Sequence, residues 1–122
     1  MSAEIIADTE VSSVYLKRGE FKKALEISSR GNTVEDMIIK AKCMMALGDN
    51  YNAVDVWRYV AINYPEKTAW ARACQGVCYY NLFDYAQAFV CLTDAQERGF
   101  RARRLNEIMS KVRSCLRLKV DG

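Results

Sequence analysis

One pattern recurs three times in this chain and constrains its fold more than any other feature. A helical stretch ends at a turn, an aromatic or polar residue follows, and an alanine opens a second helix. The first copy reads Val14-Tyr15-Leu16-Lys17-Arg18-Gly19-Glu20-Phe21-Lys22-Lys23-Ala24-Leu25. The second reads Cys43-Met44-Met45-Ala46-Leu47-Gly48-Asp49-Asn50-Tyr51-Asn52-Ala53-Val54, and the third Cys78-Tyr79-Tyr80-Asn81-Leu82-Phe83-Asp84-Tyr85-Ala86-Gln87-Ala88-Phe89. Ala53 and Ala88 are 35 residues apart and Ala24 and Ala53 only 29, so the first copy is shortened. A period of this size marks stacked helix pairs, because a single pair cannot bury its apolar face alone. One proline and six glycines in 122 residues favour long regular elements over loop-rich β architecture.

The residue types agree with such stacking. Ala24, Ala53, Gly76 and Ala88 are small enough to let antiparallel helices approach closely, while Tyr15, Met44, Trp57, Tyr79 and Leu92 can fill the gaps between neighbouring pairs. On these residues the chain resembles the tetratricopeptide repeat family. The best matching unit runs from Val34 to about Lys67, with Gly48-Asp49 at the turn, Ala53 at the helix crossing, Trp57 at the large-residue position and Pro65 closing the unit. The third unit departs from the pattern with Phe83 at the turn glycine and Phe100 where proline would stand. The resemblance implies an all-α, right-handed α-solenoid of three helix pairs in one domain spanning 1–122. Its repeats cover about 5–29, 34–67 and 69–98. A final helix over about 101–118 carries Leu105, Ile108, Met109, Val112 and Leu116 as one apolar stripe, which suits it to cap the open end of the array.

Chemistry at a catalytic centre finds little support. The chain has no histidine, which removes the usual general base and every Ser-His or Cys-His pair. Its glycines are isolated, so no phosphate loop is formed. Cys43, Cys74, Cys78 and Cys91 lie among apolar residues of predicted helices and read as reduced thiols, as in a cytoplasmic protein. Cys74 and Cys78 stand one turn apart, but a structural zinc site needs four ligands. No enzyme activity, cofactor or metal is therefore expected. No apolar run is long enough to cross a membrane, and the acidic opening lacks the pattern of a secretory signal.

Charge is uneven. From Arg98 onward the chain has eight basic residues and two acidic ones, against a net charge of +3 overall. Arg101, Arg103 and Arg104 are the candidate contacts for an acidic protein partner, a solvated polar face being the alternative. Nucleic acid is not expected, because no recognition module or aromatic-interleaved basic platform accompanies these charges.

In the resembled family the first helix of each pair lines a concave groove. Carried onto this chain, those positions are Ile6, Thr9 and Ser13 in the first unit, Ile38, Lys42 and Met45 in the second, and Trp70, Ala73, Val77 and Tyr80 in the third. Family members that clamp acidic C-terminal peptides need cationic groove positions. Here Thr9, Ser13, Ile39, Trp70 and Cys74 occupy them, so that ligand is not expected. The mostly apolar surface suits an amphipathic helix or apolar segment of a client protein. The alternative is burial of these residues under the last helix or in a dimer. Compact three-repeat chains of this kind resemble the cytosolic chaperones of bacterial type III secretion systems. The expected role is thus a protein-binding module that sequesters a client, as such a chaperone or co-chaperone. The alternative is a structural subunit or scaffold of a larger assembly, embedded through homodimerisation.

Overall fold

A computed structural model describes residues 2–116, with side chains described from Glu10 to Leu116. Among these residues there are seven α-helices, one 3-10 turn and no strand. The helices are α1 (Ser2–Lys17), α2 (Phe21–Ser28), α3 (Val34–Ala46), α4 (Asn50–Asn63), α5 (Thr68–Asn81), α6 (Tyr85–Glu97) and α7 (Arg103–Leu116), with the 3-10 turn at Pro65–Lys67. Three pairs followed by a single helix is the order that the repeat implies. Ile6 and Thr9 lie outside the described side chains, and Arg117, Lys119 and Asp121 outside the described residues.

The repeated turn has a local cause. Helices α1, α3, α5 and α6 each end in a left-handed residue, respectively Gly19 (φ 78), Gly48 (φ 85), Phe83 (φ 64) and Gly99 (φ 98). At each end the next residue's N–H reaches back five residues: Glu20 to Tyr15 O (2.9 Å), Asp49 to Met44 O (2.7 Å), Asp84 to Tyr79 O (2.9 Å) and Phe100 to Ala95 O (3.0 Å). This is the Schellman closure, which satisfies carbonyls that a helix end leaves unpaired. In two of the turns the following aspartate starts the next helix. Asp49 Oδ1 accepts from Asn52 N–H at 3.3 Å, and Asp84 Oδ1 accepts from Gln87 N–H at 3.2 Å. One Gly-Asp or Phe-Asp dipeptide thus stops one helix and launches another. Thr33 and Asp36 begin α3 with a reciprocal capping box, the Asp36 N–H donating to Thr33 Oγ1 at 3.1 Å and the Thr33 N–H to Asp36 Oδ2 at 3.3 Å.

The chain divides into two compact units, one running to Val56 and the other from Trp57 onward. In the first, α1, α2 and α3 pack on one another around Ala24, Ile39 and Cys43, with Tyr15, Leu16, Phe21 and Leu25 closing the sides. Lys23 lays its ammonium 5.3 Å from the centre of the Tyr15 ring.

The second unit holds Trp57, Val60, Cys78, Cys91, Leu92, Met109 and Val112 at 2% exposure or less. Helices α5 and α6 pack tightly at Gly76, where an added Cβ would meet Leu92 Cδ2 at 2.5 Å. The apolar stripe of α7, formed by Leu105, Ile108, Met109 and Val112, joins Ala73, Ala88, Leu92 and Ala95 in one core. Burying four such side chains stabilises the unit by roughly 1.5–3 kcal/mol each. Burial also raises the Cys78 thiol to about 12, with the nearby Cys91 adding to the effect. Such a thiol stays protonated and behaves as a small apolar residue. Cys43, Cys74, Cys78, Cys91 and Cys115 form no disulfide, and the described residues form no group able to hold a metal ion.

Candidate functional site

Two helix faces carry the groove positions. On α3, Ile38, Lys42 and Met45 follow one another at spacings of four and three, so they share a stripe. Ile38 and Met45 are half-buried and Lys42 is exposed, while Ile39, Ala41 and Cys43 turn inward. On α1, Ser13 is half-buried.

On α5 the spacing of three, four and three aligns Trp70, Ala73, Val77 and Tyr80. Trp70 is half-buried and meets the buried Trp57 edge-on, with ring centres 5.0 Å apart and planes at 75°. That arrangement holds the Trp70 ring in one orientation and leaves part of it accessible. Val77 and Tyr80, also half-buried, pack against the core that α5, α6 and α7 share. Tyr80 lies 6.0 Å from Tyr85, whose ring is 6.4 Å from the exposed Phe83, so three aromatics gather where α5 turns into α6.

One expected groove residue is buried. Ala73 is only 4% exposed and belongs to the core that contains the α7 stripe. The four apolar residues of α7 need a surface to cover, and this short side chain offers the room.

The basic residues divide in the same way. Arg101 donates from Nη1 to Gln96 O at 2.7 Å and to Phe100 O at 3.1 Å, holding carbonyls at the end of α6. Arg103 and Arg104 open α7, exposed, with no acidic residue in the first turn.

Sequence reading missed a second feature of this unit. The later part of α4, with α5 and α6, forms a trough of about 910 Å³. Arg72 and Asp94 sit in it, Arg72 Nε donating to Asp94 Oδ2 at 2.8 Å and Arg98 Nε to the same oxygen at 2.9 Å. Arg72 Nη1 also donates to Gln75 Oε1 at 3.0 Å, which ties a side chain 1% exposed into the network. Burial pushes the Asp94 carboxyl up, but the hydrogen bonds and charges of Arg72 and Arg98 prevail and hold it below its ordinary value. Arg58, also in the wall, donates to Tyr79 Oη at 2.9 Å. Thr93 lines the trough, and its buried Oγ1 finds no hydrogen-bond partner among the described residues. Ile62 and Val90 stand in its walls at 71% and 53% exposure. The Asp94–Arg98 spacing of four residues was the one legible sign of this network.

No protein-family model matches the sequence, and neither does any curated protein sequence. Among solved structures the chain is similar to the crystal structure of PcrH from Pseudomonas aeruginosa, with a TM-score of 0.74. The alignment covers 96% of this chain and 92% of that one at 12% identity. The two share a tetratricopeptide-like helical fold.

Proposed function

We propose that the protein is a chaperone-like binding module that sequesters an amphipathic helix or apolar segment of a client, in the manner of a type III secretion chaperone. The observation that carries this reading is the likeness in fold to PcrH, a type III secretion chaperone, over 96% of the chain. The half-buried Trp70, Val77 and Tyr80 on α5 supply the chemistry such a client needs, and Ile38, Lys42 and Met45 on α3 are their counterparts in the first unit. A client that assembles through an amphipathic helix cannot do so while the apolar side of that helix is covered.

Trp70 is the expected hot spot, being aromatic, oriented by Trp57 and partly accessible. Co-purification from the native source followed by mass spectrometry identifies the client, and calorimetry with that client then tests the residue. Trp70→Ala should weaken binding by about 2 kcal/mol or more, against a smaller loss in folding to which the ring contact adds about 1 kcal/mol. Equal losses in the two measurements would place Trp70 in the core and withdraw it from the client surface.

A further inference from the structure

The trough of the second unit lies on residues other than the α5 stripe proposed for the client, and its chemistry differs. Three guanidinium groups, of Arg58, Arg72 and Arg98, face two carboxylates, of Asp94 and Glu97. Arg72 and Arg98 both spend Nε on one oxygen of Asp94. Arg98 is half exposed, and its terminal amino groups make no hydrogen bond among the described residues, so its fork can still grip a carboxylate. The positive character continues past the end of α6. Arg101 is fixed there by its bonds to Gln96 O and Phe100 O, and the exposed Arg103 and Arg104 follow at the start of α7. Cations at a helix N-terminus oppose the helix dipole, and carboxylates from a partner would relieve that. The rest of the wall is aliphatic, with Ile62 and Val90 more than half exposed.

We propose that this trough is a second docking site, for a peptide segment of another protein that carries carboxylate side chains beside aliphatic ones. The aliphatic groups cover Ile62 and Val90, and the carboxylates meet Arg98 and the arginines beyond it. A polynucleotide fits less well, since Asp94 and Glu97 would repel its phosphates and nothing would cover the aliphatic wall.

Panning a phage-displayed library of random dodecapeptides on the full chain tests this directly. Enriched sequences should place Asp or Glu beside Leu, Ile, Val or Met. A synthetic peptide of the leading sequence should lose about tenfold in affinity or more with Ile62→Asp or Arg98→Gln. Both changes fall on exposed side chains, and circular dichroism checks that the fold is retained. Trp70→Ala, on the α5 face, should change the affinity less than about twofold. That arm separates this site from the proposed client surface, so either can fail alone. Absence of enrichment, enrichment of basic or uncharged sequences, an equal loss with Trp70→Ala, or displacement of the peptide by a single-stranded RNA at matching concentration would overturn the proposal.

Discussion

Three of the four left-handed residues that end helices here are glycines, and the fourth is Phe83. An L side chain in that conformation is disfavoured by roughly 1–2 kcal/mol, and a ring 76% exposed recovers little by burial. Glycine at 83 would relieve the strain while adding some freedom to the unfolded chain. Phe83→Gly should therefore raise stability by about 0.5–1 kcal/mol, read as a higher urea midpoint with unchanged slope. A lower midpoint would mean that the ring's contact with Tyr85 outweighs the strain. Asp94 makes the other prediction at this scale. Its folded pKa lies below the unfolded one, so its contribution is present above the unfolded value of about 3.9 and is lost as pH falls through the folded one. With Arg98 half exposed, solvent screens the pair, and Asp94→Asn should cost only about 1 kcal/mol at pH 7. Urea titrations at descending pH should show the gap to the parent narrowing below about pH 4. A constant gap would show that the loss is one of packing.

Between elements, the α5–α6 crossing depends on the missing side chain at Gly76. A Cβ there meets Leu92 at Cδ2, Cγ and the backbone nitrogen, the last at 3.3 Å, and the backbone cannot swing aside as a side chain can. Gly76→Ala should destabilise by about 1–3 kcal/mol despite its better helix propensity, seen as a lower melting temperature. An unchanged melting temperature would show that Leu92 re-orients freely. The helices themselves were readable in the sequence, because apolar spacing, the turn glycines Gly19 and Gly48 and the alanines at crossings each act locally. The turn at Phe83 was visible only as a departure from glycine, since the backbone angle comes from the two flanking helices. The burial of Ala73 has a tertiary reason: nothing local tells which surface the α7 stripe will cover. The trough stayed hidden because Arg72 and Asp94 are 22 residues apart, and the exposure of Ile62 and Val90 exists only once the helices are packed.

For the molecule as a whole, the two functional readings differ in association state. A protein that shields a client with its aromatic face needs that face free, whereas an assembly subunit joined through it would hold Trp70 and Tyr80 in a dimer. Size-exclusion chromatography with light scattering on the purified chain should give the 13.9 kDa mass of one chain. A dimer that persists on dilution, with both side chains protected, would favour the scaffold instead. No helix among the described residues is long and apolar enough to cross a membrane.

Both tryptophans, Trp57 and Trp70, belong to the unit that begins at Trp57, with their rings 5.0 Å apart. Intrinsic indole emission is therefore a gauge of that half alone, and the stretch before it, which has only tyrosine and phenylalanine as chromophores, melts unseen in such a signal. Following emission and far-ultraviolet ellipticity on one sample would reveal whether the halves unfold together or in turn, with no label introduced.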